Sequence, residues 1–433
     1  MIPRSRRLAL IFTLAPICCF AQKQPAPPRT LSLAEAEAIA LKNNPQITVG
    51  KLRALQEQEY VHEVRSALFP RASLNLTGVG AEAGSRLSAG YLTTGRLFSR
   101  AAGGAEVSQL ITDFGRTPNL VSSYRYQAKA ADENAVATRQ QITLAVDQAF
   151  YNTLESKALL SVSQETVKAR QLLVDQVQAL TNAKLKSELD LSFAQVEMAR
   201  AQLLQLDTQN NFDASISILS AILGYPDRQE LIPVEPLVPV NPPLSDVAPL
   251  IQKALELRPE VRGLRDEVTA AEKFSRAEHD LFWPTVSALG AVGQAPVRDP
   301  NIPSWYGAAG VNVNIPVFTG FLFNARAKAA DLSTEVKRKQ LQDLQDNVAR
   351  DVRNGWLDTG KAFERLSVTK QLREQADLAL ELAQARYKLG LGNIVEYTQA
   401  ELAKTDADIQ DTDAHYRYAL SEIALAYDMG LTR

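Results

Sequence analysis

After residue 19 the sequence contains no cysteine, and its two cysteines, Cys18 and Cys19, stand side by side. No disulfide can staple the rest of the chain, and a thiolate metal site is excluded. Histidine is nearly as scarce. His62, His279 and His415 are scattered, with no second ligand at metal spacing, so no metal is expected. An excess of one charge is missing too. Lys and Arg number 47 and Asp and Glu 49, a formal net charge of −2, whereas a nucleic-acid binder carries a basic excess. There is no phosphate-cradling glycine loop and no nucleophile–base motif, so neither an enzyme nor a bound cofactor is expected. Beyond the N-terminus no run of 18 apolar residues exists, so no helix is expected to span a membrane. What is present is 433 residues, 45% apolar and 22% charged, the composition of a folded protein.

Residues 1–21 read as a secretory signal. Arg4, Arg6 and Arg7 form the charged start, Leu8 to Phe20 an apolar stretch too short for a membrane helix, and Ala21 the residue before the cut. Lipidation at Cys18 or Cys19 fits less well, because Ala15-Pro16-Ile17 does not put a small residue directly before the cysteine. Cleavage removes three arginines and no acid, taking the charge from −2 to −5.

The rest is written twice. Asn44-Pro45 is matched by Arg258-Pro259 and Phe69-Pro70 by Trp283-Pro284, both at an offset of 214 (259 − 45, 284 − 70). Asp113-Phe114-Gly115 is matched by Phe318-Thr319-Gly320 at 320 − 115 = 205, Asp190 by Glu396 at 206, and Leu223-Gly224 by Met429-Gly430 at 206. The offset changes once, which predicts a loop about nine residues longer in the first copy. The boundaries follow: a Pro-rich segment 22–30, a first repeat 31–225, a Pro-rich linker 226–244 that is neither helix nor central strand, and a second repeat 245–433.

Each repeat predicts a helix, two strands, a very long helix, a break and a further helix. Ser32 with Glu35 spells a capping box, and Asp246 stands at the equivalent N-cap. Proline at 45 and 259 marks a new first turn. The long helices are expected over Thr117–Lys184 and Leu322–Leu389, each about 100 Å long. Leu341, Leu344, Val348, Val352 and Trp356 form a narrow stripe, and Ala376, Ala379 and Ala383 permit close approach of helices. The shorter helices, about half the rod in length, could stack end to end beside it.

Strands are expected at Arg71–Gly80, Ala105–Ile111, Thr285–Ala295 and Gly307–Val317. Leu74 and Leu76 alternate with Ser73, Asn75 and Thr77, and Val311, Val313 and Ile315 alternate with Asn312 and Asn314. Aromatics gather at the strand ends: Phe69, Phe114, Trp283, Trp305, Tyr306, Phe318, Phe321 and Phe323. They suit either the interfacial girdle of a membrane β-barrel or the core of an ordinary sheet. An exported, cysteine-free chain with attached rods favours the girdle. Four strands cannot close a barrel, and an open edge in lipid leaves backbone groups unpaired, so a membrane barrel here must be shared between chains.

With these features assembled, the chain resembles the TolC family of outer membrane efflux proteins from about Thr30 to Gly430. The resemblance rests on Leu31-Ser-Leu-Ala-Glu-Ala with Asn43-Asn44-Pro45, on Phe69-Pro70 before a strand, on Asp113-Phe114-Gly115, on Arg386-Tyr387-Lys-Leu-Gly390, and on the duplication. It implies a mainly helical fold with β-strands. Four strands per chain would form a homotrimeric 12-stranded β-barrel in outer membrane lipid, continued by a long α-helical barrel across the periplasm. It also implies an exit duct for efflux or type I secretion, joined through a periplasmic adaptor to an inner-membrane pump.

The resemblance assigns the tip of the helices to adaptor contact and closure. The turns are Leu185, Lys186, Ser187 with Glu188, and Gly390, Leu391, Gly392, Asn393. The glycines of the second turn tolerate positive φ, whereas the first has Lys184 and Lys186. Glu396 falls where the family often has an inward acidic ring, and Gln399 where some members have a second acid. Asp190 and Tyr387 fall where neighbouring helices are linked, while Gly392 replaces an arginine of that link. Glu396 on a solvated face, Asp190 as a helix cap and Tyr387 as interhelix packing are the alternatives for these residues. The competing class for the whole chain is a periplasmic coiled-coil adaptor or scaffold, which shares long helices but not two strand pairs in a full duplication.

Overall fold

The computed structural model describes residues 29–80, 86–89, 92–96, 99–236, 242, 245–295, 301 and 303–432. The expected signal segment and part of the linker lie outside the described residues. Strand β1 (Arg29–Leu31) leads into α1 (Leu33–Asn43) and α2 (Pro45–Arg65). The Ser32–Glu35 capping box forms as expected, and Pro45 opens α2 at its first position. After β2 (Arg71–Val79) comes a hairpin, β3 (Arg86–Ala89) and β4 (Leu92–Arg96), then β5 (Arg100–Thr112). Helix α3 (Arg116–Asn182) turns back into α4 (Glu188–Ile222). Strand β6 (Leu231–Pro233) then pairs in parallel with β1 and joins linker to N-terminus, a pairing that no sequence pattern announced.

The second repeat runs α5 (Ala248–Leu257), α6 (Pro259–His279), β7 (Thr285–Gln294), β8 (Trp305–Asn314), α7 (Leu322–Lys388) and α8 (Ile394–Asp428). Helices α3 and α7 each have 67 residues, about 100 Å of rod. Asp246 is not the N-cap. Val247 holds that place, and the Asp246 carboxylate accepts from the Ala248 N–H at 3.0 Å from one residue further out. Strand β8 begins two residues before the expected start and ends at Asn314, leaving Ile315 and Val317 beyond it.

The repeats superimpose at the level of backbone strain. Phe114 and Gly115 have φ of 54° and 116°, and Gly320 and Phe321 have 60° and 67°. These left-handed pairs are 206 apart (320 − 114, 321 − 115), so the glycine alignment at 205 is one residue out of register. Glycine relieves the first position in one copy and the second in the other, which misled the sequence alignment. The offset difference, 214 − 206, makes the first copy's loop eight residues longer, and the β3–β4 hairpin lies in it.

The cores repeat as well. Ala40, Ile47, Ile142, Val146 and Leu219 bury together between α1, α2, α3 and α4. Their counterparts Ala254, Val261, Val348, Val352 and Leu425 bury together between α5, α6, α7 and α8. The stripe on α7 therefore packs on short helices of its own repeat. Short helices do stack end to end beside each rod. The Asn44 side-chain amide donates to the Ile222 carbonyl at the end of α4 (3.3 Å) while its Oδ1 accepts the Gln46 N–H of α2 (2.9 Å). Gly224, at φ 83°, lets α4 end against Asn43, and Gly430, at φ 70°, does the same against Arg258.

At every level the elements have one lateral order. The main sheet runs β2-β5-β7-β8, all antiparallel. Next to it the helices run α2-α3-α6-α7, and beyond the midpoint α4-α3-α8-α7. A first-repeat element and a second-repeat element form the two edges throughout.

Candidate functional site

The two faces of the sheet differ in chemistry. Registration places Arg71, Ser73, Asn75 and Thr77 of β2 in the same face as Glu106 and Ser108 of β5, Thr285 and Ser287 of β7, and Asn312 and Asn314 of β8. The Ser73 hydroxyl donates to Glu106 Oε1 at 2.8 Å across this face. Val79, Leu110, Leu289 and Tyr306 are its large hydrophobic members. The opposite face has Leu74, Leu76, Val107, Val292, Val311, Val313 and Trp305, all exposed, with Leu76 at 78%. Among the described residues nothing of the chain covers this apolar face, and β2 and β8 are the edge strands of the sheet.

Of the aromatics expected in a girdle, Phe69, Phe114, Trp283 and Phe318 gather at the helix end of the sheet and are exposed. Phe114 and Trp283 lie 6.1 Å apart, and Phe318 meets Phe321 edge to face at 5.8 Å. The Arg65 guanidinium sits 5.8 Å from the centre of the Phe69 ring. Asp113 builds the turn that places this band. It is buried, and it accepts from both the Thr117 N–H (2.8 Å) and the Thr117 hydroxyl (2.5 Å) at the start of α3. Trp305 stands at the far end of the sheet on the apolar face. Tyr306 does not belong with it. Adjacent strand residues point to opposite faces, and Tyr306 lies on the polar face, in the row Asn75–Gly104–Gly293–Tyr306.

At the opposite end of the molecule both rods turn back. Lys184, at φ 58°, and Gly390, at φ 73°, make equivalent left-handed bends. Leu185, Leu389 and Leu391 are about 70% exposed there (70%, 74% and 69%). Ser187 caps α4 and Asn393 caps α8, each accepting the N–H of the residue three positions on. Those residues are Asp190 and Glu396, so the two acids are structural equivalents. Asp190 completes a capping box, accepting from the Ser187 N–H (3.1 Å) and hydroxyl (3.0 Å). Glu396 instead takes Arg386 Nε at 2.9 Å across the turn, with both side chains partly exposed.

Tyr387 is buried, stacked on Tyr397 with centroids 5.6 Å apart, and covered by Lys186 Nζ at 4.2 Å. Its hydroxyl has no hydrogen-bond partner. Burial first, then the nearby Asp190 and Tyr397, push its pKa above the ordinary phenol value. Asp190 is thus close enough to be felt, but its hydrogen bonds go to Ser187. The expected Asp190–Tyr387 link is not formed within the chain, and Tyr387 packs between helices. Leu173 and Val177 of α3, Ala194 of α4, Ala383 of α7 and Ile394 of α8 complete this cluster. Ala376 is buried and Ala379 exposed.

One feature of the tip was not legible beforehand. Arg170 of α3, 3% exposed, is ion-paired with Glu401 of α8, and Glu197 of α4 lies buried beside them. Burial pushes the guanidinium pKa down, with Glu197 and then Tyr397 opposing it. Nothing in local sequence marks these residues, because they are 27 and 204 positions from one another along the chain (197 − 170 and 401 − 197). Helices α7 and α8 are also joined by Arg365–Asp413 (3.0 Å), Arg373–Asp411 (3.1 Å) and Lys404–Asp377 (3.1 Å). Among the described residues no helix is long and apolar enough to cross a membrane, and no group of three or more His, Cys, Asp or Glu side chains could hold a metal ion.

The comparisons with known proteins agree with this geometry. The family model described as outer membrane efflux protein matches residues 38–225 and 250–431, one segment in each repeat. The outer membrane protein TolC of Escherichia coli is 22% identical over 421 residues, covering 92% of this chain and 83% of that protein. TolC of Salmonella enteritidis is 23% identical over 390 residues, covering 86% and 76%. Among solved structures, the outer membrane protein VceC of Vibrio cholerae aligns with a TM-score of 0.80 at 19% identity, covering 92% of this chain and 96% of the other. The CmeC outer membrane channel of Campylobacter jejuni aligns at 0.79 and 17%, covering 92% and 86%.

Proposed function

Because this chain belongs to the outer membrane efflux protein family, we propose that it is one subunit of a homotrimeric exit duct that works with a periplasmic adaptor and an inner-membrane pump. The family places it in the outer membrane and makes it a transport channel. The observation that carries closure of a ring is the common lateral order; the number three comes from the likeness to the family. Edges β2 and β8, α2 and α7, and α4 and α7 bring a first-repeat element of one chain against a second-repeat element of the next at all three levels. Three four-stranded sheets then make 12 strands with no free edge, apolar side chains toward lipid and the Glu106–Asn312 face toward water. Phe69, Phe114, Trp283 and Phe318 mark the periplasmic interface and Trp305 the outer one.

The tip meets the adaptor through exposed Leu185, Lys186 and Ser187 and through Gly390, Leu391, Gly392 and Asn393. Glu396 is the acid we assign to a ring around the pore, and Arg386 partly neutralises it. Asp190 and Tyr387 act on the closed tip through capping and packing. The test is fractionation of cells followed by electrophoresis of the detergent extract without heating. The expected result is an outer membrane oligomer at three times the chain mass that falls to the monomer on boiling. A mature monomer stable in water without detergent defeats the proposal.

A further inference from the structure

The duplication extends to individual side-chain contacts. The Gln58 amide of α2 donates to Asp132 of α3 at 3.5 Å. At the same places in the second repeat, Glu272 of α6 and Arg338 of α7 form an ion pair at 2.7 Å (272 − 58 = 214, 338 − 132 = 206). A contact across the seam between repeats therefore has a counterpart across the seam between copies. Inside the chain that seam joins α3 to α6 and, beyond the midpoint, α3 to α8. In a closed ring its counterpart joins α7 of one copy to α2 and α4 of the next. Each counterpart is found by adding 206 on α3 and subtracting 214 on α6 or 206 on α8.

Toward the sheet, α6 lies close on α3. Gly263 is buried, and a Cβ added there would lie 3.3 Å from the Ala130 carbonyl. The counterparts are Val49 (263 − 214) and Val336 (130 + 206), and both are exposed in the single chain, at 46% and 54%. Leu52 and Leu332, one turn along the same helices, are exposed as well. A second copy laid along this edge takes these apolar side chains out of water. Nearer the tip, Glu155 of α3 shares a hydrogen bond with Asp413 of α8, beside Arg417. The counterparts are Lys361 (155 + 206) and Asp207 (413 − 206). Both are exposed, and among the described residues neither has an ion-pair partner in its own chain. An acid facing an acid inside the chain thus becomes a base facing an acid between copies.

We infer that neighbouring copies are held in register by an ion pair between Lys361 of one copy and Asp207 of the next, with Val336 of the first packed on Val49 of the second. This rests on the trimeric reading above, and it adds the side chains that join the copies. The residues one turn from Asp207 on α4 are Leu203, Leu204, Asn210 and Asn211, none of them charged. A slip of one turn along the seam, about 5.4 Å, therefore loses the ion pair and gains no other in its place. The apolar contact supplies adhesion, and the charges select the register.

The test uses the full chain, whose only cysteines, Cys18 and Cys19, lie in the expected signal segment. Val49→Cys with Val336→Cys is expected, on oxidation in membranes, to give covalent dimers and trimers that survive boiling, while either substitution alone gives none. Lys361→Asp and Asp207→Lys are each expected to lower by several degrees the temperature at which the unheated oligomer falls apart. The two together are expected to restore it, which a merely structural role for either residue does not do. A wild-type oligomer whose double-cysteine variant stays monomeric after oxidation and boiling overturns the register. An exchanged pair that melts no higher than the single variants overturns the ion pair, even where those variants assemble poorly. A wild-type protein that is not a trimer overturns the earlier reading instead, and the unheated gel separates the two failures.

Discussion

Lys184 and Gly390 occupy the same left-handed backbone position, 206 residues apart, at the bends where the two rods reverse, with φ of 58° and 73°. A side chain there crowds its own carbonyl, at a cost of about 1–2 kcal/mol, offset in part by the larger unfolded-state entropy of glycine. Lys184→Gly should therefore stabilise the tip by roughly 0.5–1 kcal/mol, and Gly390→Ala should destabilise it by a similar amount. Chemical unfolding of the detergent-solubilised protein reads both. Equal effects of one sign would mean that the bends are not equivalent.

Asp147 on α3 is buried and faces Glu37 of α1. Burial first, then the charge and hydrogen bond of Glu37, raise its pKa from 3.8 to about 7. A carboxyl group that holds its proton more tightly when folded favours the fold at low pH. That contribution is complete below the unfolded value near 4 and is lost as pH rises to about 7. Glu155, raised to about 7 by burial and then Asp413, acts in the same direction. Asp147→Asn cannot ionise, so its melting temperature should exceed wild type at pH 8 and approach it at pH 4. Thermal scans across that interval give the answer, and a variant less stable than wild type at pH 8 would falsify the assignment.

Arg386 and Glu396 neutralise one another across the second turn, at 2.9 Å. An acidic ring built from Glu396 is then weaker than the carboxylates alone would make it. Arg386→Gln should raise the cation selectivity of single channels, and Glu396→Gln should lower it. Reversal potentials in a salt gradient distinguish the two. If neither substitution moves the potential, Glu396 sits on a solvated face outside the conducting path.

The parts of this fold visible in sequence were those with a short-range pattern: the prolines at 45 and 259, the Ser32–Glu35 box, the alternation in β2 and β8, and the duplication itself. The β1–β6 pair, by contrast, joins three-residue segments about 200 positions apart (231 − 29 = 202). Such short strands carry no periodicity to read. The pairing of Arg170 with Glu401 is equally invisible, since buried charges look like surface charges until the helices are packed. Tyr306 was misplaced by composition. An aromatic beside Trp305 resembles a girdle, and only the strand register shows that neighbours in a strand face opposite ways.

The same register yields a last expectation. A Cβ on Gly104 would lie 2.5 Å from the Tyr306 hydroxyl, and one on Gly293 would lie 2.6 Å from the Gly103 carbonyl and 2.7 Å from the Tyr306 hydroxyl. The Tyr306 side chain therefore lies across two glycines on the neighbouring strands, covering backbone that has no side chains of its own. Gly293→Val has no room, because backbone atoms of β5 form the obstacle and a rotamer change of Tyr306 cannot move them. It should prevent assembly of the sheet and abolish the heat-sensitive oligomer. Tyr306→Ala removes the cover but leaves the strands free to pair, so the oligomer should form and melt several degrees lower. Unheated electrophoresis over a temperature series tests the pair. Normal oligomer from Gly293→Val would show that the register of β5 against β7 is not the one described.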